Sequence, residues 1–154
     1  MFLLDTNHCS YALLGNTQIL DRLANLGDES IATCTIVKGE LIDMAARSQQ
    51  RQANLALVQS FLLGLYIYPI DETTAEIYGN LKAAVFDRYA PKDKAQRRRT
   101  NMTQLGIGEN DLWIAAVAIQ HQLTLVTADR DFQRIQSVQP FELESWILTS
   151  PESG

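Results

Sequence analysis

The chain has 154 residues, 46% of them apolar and 20% charged, with a formal net charge of −5. That length fits one domain able to bury about two-thirds of its unfolded surface, and the composition excludes a disordered or collagen-like chain. No apolar run approaches the ~20 residues needed to span a bilayer, and no basic region precedes the apolar start, so neither a membrane span nor a signal peptide is expected and the cytosol is the expected location.

Phe2–Leu4 reads as a short buried strand, followed by helical spacing through Tyr11, Leu13 and Leu14 and again through Ile19, Leu20, Leu23 and Leu26. Gly27-Asp28 supplies turn chemistry at the end of that second helix. A second strand is expected over Ser30–Thr35, then helices over Thr35–Arg47 and Gln49–Leu63, the first with Val37, Leu41 and Met44 on its buried stripe. Gly64 stops the second. Tyr66–Ile70 reads as a strand, with Pro69 marking an edge or a strand end. Asp71 or Thr73 caps a long helix that ends before Pro91. Pro91–Gly106 is polar and basic, a loop with room for a helical turn. Glu109–Gln122 is a helix apolar almost all round and so deeply packed. Leu123–Thr127 and Phe141–Leu143 are the last expected strands. Strands alternating with helices predict an α/β fold: three α/β/α layers around a central, mainly parallel sheet. One domain is expected over 1–148, with a flexible tail at 149–154.

Four acids stand where apolar segments end or a helix turns inward. Asp5 closes the first strand, Glu40 interrupts an apolar helical stretch, Asp111 opens the apolar helix, and Asp129 follows the strand Leu-Thr-Leu-Val-Thr. Carboxylates at such edges are unfavourable unless a positive charge offsets them, and a divalent cation bound by oxygen ligands does so. A bound Mg²⁺ or Mn²⁺ suits phosphodiester hydrolysis, because it lowers the pKa of water and shields charge building on phosphate. Asp5 and Asp111 are the best direct ligands; Glu40 and Asp129 complete the cluster directly or through water. Thr6, Asn7 and Thr127 stand beside these acids and are placed to orient carboxylates or water, and Asp131 is a substitute or helper for Asp129. Each acid also has a plain reading: Asp5 as a helix cap, Asp111 as a dipole partner, Glu40 as a snorkelling surface residue, Asp129 as a turn residue. Only their joint pattern favours a metal site.

Cys9 and Cys34 lack Cys-x-x-Cys spacing and read as buried free thiols. His8 and His121 have no spacing that would make a metal pair, and His121 reads as solvated or as complementing a helix dipole. No Walker loop, dinucleotide fingerprint or Gly-x-Ser-x-Gly elbow is present, and Gly106-Ile107-Gly108 reads as the flexible entry that sets Asp111.

Four stretches in this order resemble a PIN-domain ribonuclease of the VapC toxin type: Leu-Leu-Asp-Thr-Asn at 3–7, Lys-Gly-Glu-Leu at 38–41, Ile-Gly-Glu-Asn-Asp-Leu-Trp-Ile-Ala-Ala at 107–116, and Leu-Val-Thr-Ala-Asp-Arg-Asp-Phe at 125–132. The resemblance implies a compact α/β/α fold, an acidic pocket holding Mg²⁺ or Mn²⁺, and endonucleolytic RNA cleavage leaving 5′-phosphate and 3′-hydroxyl ends. On the matching positions, Asp5, Glu40, Asp111 and Asp129 are its metal-binding acids. It also implies a homodimer silenced by a small cognate antitoxin. The chain departs from the family pattern in two places. Members often carry Asn where this chain has Asp129, and the Pro91–Gly106 connection is longer and more basic than in many relatives. Lys92, Lys94, Arg97, Arg98 and Arg99 there form either an RNA-contacting arm or a solvated insertion. Two other readings share the pattern: a housekeeping PIN-type nuclease in RNA processing or on DNA, and a non-catalytic domain that binds RNA or a partner. A haloacid-dehalogenase-type phosphatase is set aside, because Asn7 stands where a second Asp is needed.

Overall fold

The computed structural model describes residues 1–27 and 29–147. The expected tail at 149–154 and Asp28 of the expected turn lie outside the described residues. Among the described residues, five strands form one all-parallel sheet: β1 (Phe2–Leu4), β2 (Ile31–Cys34), β3 (Tyr66–Tyr68), β4 (Thr124–Val126) and β5 (Leu143–Glu144), in the order β3-β2-β1-β4-β5. Strand β1 is central, paired through Phe2 with Ile31 on one side and Thr124 on the other. Its three residues are buried, as the unbroken apolar run requires in a sheet covered on both faces.

The chain winds outward from β1 to β2 and β3, then crosses back to β4 and β5. The first half contributes α1 (Thr6–Leu13), α2 (Thr17–Ala24), α3 (Thr35–Ala46) and α4 (Arg51–Leu63). The second contributes α5 (Glu72–Tyr89), α6 (Lys94–Arg99), α7 (Glu109–His121) and α8 (Asp131–Gln136). Because parallel crossovers are right-handed, reversing the winding direction puts the two sets on opposite faces. Helices α5, α7 and α8 pack on one another, while α1 packs on α2, α3 and α4. The reversal falls between β1 and β4, the place where an open parallel sheet offers a crevice to ligands. Among the described residues, no helix is long and apolar enough to cross a membrane.

Most expected elements are present, with shorter strands at positions 31–34, 66–68 and 124–126. Asp71 caps α5 in a reciprocal arrangement, accepting from the Thr74 N–H at 3.0 Å while the Thr74 hydroxyl accepts from the Asp71 N–H. Helix α2 ends at Ala24, before the expected turn, and Gly27 supplies the positive φ of 64° that follows it. The 91–106 connection holds a six-residue helix, α6, capped by Asp93. Helix α8 was not anticipated; its two buried anchors, Phe132 and Ile135, are too few to show a period. The last strand starts two residues later than expected. Met44 is 48% exposed and its place on the buried stripe of α3 is taken by Ala45. Both positions satisfy helical spacing from Leu41, and of the two it is Ala45, 5% exposed, that joins the core.

Candidate acidic site at the winding reversal

Asp5 is the first residue past β1 and the N-cap of α1. Its Oδ1 accepts the His8 backbone N–H at 2.8 Å and lies 3.1 Å from His8 Nδ1. The residue is only 4% exposed. The next residue, Thr6, donates its hydroxyl to Glu40 Oε1 at 3.1 Å, linking α1 to α3. Burial pushes the Glu40 carboxyl up, and the nearby Asp5 adds to this, while hydrogen bonds from Thr6 and Asn110 work against it.

Across the crevice, Asp111 lies in the first turn of α7, where the helix dipole favours a carboxylate. Gly108, the N-cap, passes close to it: a Cβ built there would lie 3.6 Å from Asp111 Oδ2. Asp111 is nevertheless raised to about 7, first by burial and then by Asp129, Glu40, Asp131 and Asp5. Four carboxylates therefore act on this one carboxyl. Oxygen atoms of Asp111, Asp129 and Asp131 lie within 4.8 Å of one another. Asp129 is fixed through its backbone N–H, which donates to Thr127 Oγ1 at 3.0 Å, and its Oδ1 accepts the Asp131 N–H at 2.9 Å.

The sequence-predicted acids thus converge, though not as one equal set. Asp111, Asp129 and Asp131 make the tight group, and Asp131, expected as a substitute or helper for Asp129, stands in it beside Asp129. Asp5 and Glu40 form a second pair bridged by Thr6 and facing Asp111 electrostatically. Thr127 is buried and orients the turn; Asn7 is exposed on α1, away from the hydrogen bonds that fix the acids. Sequence reasoning missed His8 and Asn110. The adjacency of Asn110 to Asp111 was visible, but its effect on Glu40 depends on α3 meeting α7. His121 lies in the last turn of α7, as the dipole reading expects, half-buried and stacked on Tyr68 at 4.2 Å between ring centroids.

Among the described residues, the one cation paired with this cluster is Arg134, 3.6 Å from Asp131. An all-carboxylate donor set, half-buried and mutually repelling, fits a hard divalent cation and does not fit a soft metal that prefers sulfur. The basic segment presents Lys92, Lys94, Arg98 and Arg99 to solvent. Arg97 is held back, bonded to Asp87 at 2.7 Å and lying over the Phe86 ring.

An open parallel sheet that gathers carboxylates at its winding reversal defines an acidic-pocket α/β protein. The PIN domain family model matches residues 2–138. The chain is 30% identical to ribonuclease VapC2 of Rickettsia felis over 156 residues, covering 95% of this chain and 98% of that protein. It is 27% identical to the tRNA(fMet)-specific endonuclease VapC of Salmonella typhimurium, covering 94% and 97%. The solved VapBC2 complex of Rickettsia felis, bound to a DNA fragment from its promoter, superposes with a TM-score of 0.73 at 30% identity, covering 95% and 98%. The chain belongs to the PIN-domain family, in its VapC branch.

Proposed function

We propose that this chain is a divalent-metal-dependent endoribonuclease and the toxin of a type II toxin–antitoxin pair, acting in the cytoplasm as a single nuclease domain over residues 1–148. The observation that carries the reading is the crowding of carboxylates around Asp111, held near 7 in the absence of a cation, at the ligand crevice of a VapC-type PIN fold. Asp5, Glu40, Asp111 and Asp129 are the residues assigned to hold Mg²⁺ or Mn²⁺, with Asp131 joining Asp129. When bound, the cation supplies an activated water at neutral pH and shields the charge growing on phosphate.

The chain's own groups set the geometry. Asp5 is immobilised by its own helix and by His8; Glu40 is held by Thr6; Asp129 is held by the Thr127 turn. Glu40 is raised by burial and is assigned a place bridged through water, where a carboxylate oxygen takes the proton that the attacking water gives up. Water adds to phosphorus, the bond from phosphorus to the 3′ oxygen breaks, that oxygen takes a proton from solvent water, and the products are a 5′-phosphate and a 3′-hydroxyl. The exposed Lys92, Lys94, Arg98 and Arg99 are assigned to RNA phosphates, and Arg97 to holding α6 in place.

The partner reading rests on the relatives found in VapBC complexes. The surface assigned to the antitoxin is an apolar groove of ≈ 250 Å³ between α1, α3 and α4, lined by Leu13, Leu14, Leu41, Met44 and Leu57. Leu14 and Leu57 there are 81% and 55% exposed. Exposed apolar side chains clustered in this way mark an interaction site. A homodimer accompanies this reading, from the family resemblance.

The test is cleavage of total cellular RNA by wild type and Asp111→Ala, each with Mg²⁺ or Mn²⁺ and with chelator. Discrete metal-dependent fragments from wild type alone are expected. Identical fragments from a folded Asp111→Ala protein would remove Asp111 from the centre, and no cleavage by antitoxin-free wild type would remove the nuclease reading.

A further inference from the structure

His8 is fully buried, yet it is a polar ring placed between the acidic pocket and the last described segment of the chain. One ring nitrogen, Nδ1, lies 3.1 Å from Asp5 Oδ1. The other, Nε2, lies 3.3 Å from the backbone nitrogen of Trp146. A backbone N–H can only donate, so Nε2 is the acceptor and carries no hydrogen. The ring proton then sits on Nδ1 and points at the carboxylate. Both nitrogens are satisfied by this one tautomer, as burial demands.

The far partner is anchored independently. Trp146 packs edge-on against Phe2 of the central strand at 5.3 Å and donates its indole N–H to Glu144 at 3.1 Å. Arg22 closes the cluster, bonded to Glu144 at 3.2 Å and lying 5.5 Å from the Trp146 ring. Glu144 also offers its backbone carbonyl to the Thr127 N–H at 2.9 Å. The same short segment therefore braces Asp5 through His8 and the Asp129 turn through Thr127.

We propose that His8 is a positioning residue: Trp146 fixes its tautomer, and the Nδ1–H bond aims the Asp5 carboxylate into the pocket for a divalent cation. This rests on the nuclease reading above. A hydrogen bond to a metal-binding carboxylate fixes its orientation and tunes its affinity, and losing such a partner weakens metal binding about 10- to 100-fold. The backbone N–H of His8 also bonds Asp5, so Asp5 keeps its capping role when the ring is changed.

Two substitutions separate the two ends of the ring. In His8→Asn the side-chain amide falls near the Nδ1 position and can still donate to Asp5, but it does not reach Trp146. In His8→Gln the amide oxygen falls near Nε2 and can accept from Trp146, while the donor to Asp5 is gone. The measurements are Mn²⁺ affinity by calorimetry, RNA cleavage, thermal unfolding, and the ring-nitrogen NMR shifts of the wild type. The expected result is an Nδ1–H tautomer, a Mn²⁺ affinity about 10- to 100-fold weaker in His8→Gln, and recovery of most of that loss in His8→Asn despite a lower Tm. A merely structural role predicts that metal affinity follows Tm in both variants, and that result overturns the inference. So does unchanged affinity in folded His8→Gln. If either variant fails to fold, the wild-type spectrum decides, because an Nε2–H tautomer is incompatible with the proposal. Absence of Mn²⁺ binding by the wild type overturns the nuclease reading itself, a result distinct from wild-type binding that His8→Gln leaves intact.

Discussion

Replacing Asp111 with Asn removes one negative charge from a place where four other carboxylates oppose it, and the metal-free protein should become more stable as its activity disappears. The sign follows from the proton balance. Asp111 titrates near 3.8 in an unfolded chain and about 7 in the folded one. The folded state thus holds the proton more tightly, so the metal-free protein loses stability as pH rises from about 4 to about 7 and carries the full penalty above that. Taken at face value, the displacement corresponds to about 4 kcal/mol. The carboxyl is only half-buried, so water and salt screen the repulsion, and about 1–2 kcal/mol is the appropriate expectation. For a chain of this size that is a rise of about 3–6 °C in Tm.

The assay is thermal unfolding of wild type and Asp111→Asn in chelator at pH 8 and pH 5, repeated at pH 8 with Mg²⁺ or Mn²⁺. The variant should exceed wild type at pH 8 and show a smaller advantage at pH 5, where the wild-type carboxyl is largely protonated when folded. Added metal should raise the wild-type Tm and leave the variant nearly unmoved, since ligand binding to the folded state stabilises by mass action. A variant no more stable than wild type at pH 8, or one whose gain is the same at both pH values, refutes the reasoning that burial, reinforced by carboxylate repulsion, penalises an ionised Asp111 in this pocket.

Changing Lys92, Lys94, Arg98 and Arg99 together to Gln should raise KM for RNA, leave kcat in place, and flatten the salt dependence of binding by about 3 in log–log slope. An unchanged slope would make α6 a solvated insertion. Leu14→Glu with Leu57→Glu should abolish capture of the cognate antitoxin in a pull-down while RNA cleavage survives. Both side chains are exposed, so the stability change should stay within about 0.5 kcal/mol per site. Phe132→Ala empties a 1%-exposed anchor beneath the turn that carries Asp129 and Asp131, and should destabilise by about 3–5 kcal/mol in denaturant titration. A loss below about 1 kcal/mol would mean that α8 is not part of the packed core.

The winding reversal explains why four acids spread over 125 positions could be expected near one another from the sequence. Three of them follow or open an apolar run long enough to declare its element: Asp5 after β1, Asp111 at the head of the apolar α7, Asp129 after β4. Once strands and helices alternate, parallel topology brings the strand ends together without further information from the sequence. Glu40 was legible for a different reason, as a charge among the apolar residues of α3. The interior of a long helix and the end of a strand are both positions where local sequence and global fold say the same thing.

What the sequence withheld depends on tertiary contact alone. Met44 and Ala45 both satisfy helical spacing, and only the packing of α3 on its neighbours decides between them. Asp131 belongs to the tight acidic group because its backbone N–H bonds Asp129 Oδ1, a turn geometry that residue identities do not announce. His8 illustrates the limit best. Considered as a metal ligand, it has no partner at helical or strand spacing; considered as a helix residue, it is one buried ring among apolar neighbours. Its partner is a backbone N–H 138 positions away, and any residue except proline at 146 supplies that donor. The side chain of Trp146 matters by anchoring the segment, and its backbone matters by selecting the tautomer. The pocket is therefore closed by contacts of two kinds: carboxylates that the motifs declare, and a brace that exists only once the first strand and the last lie in the same sheet.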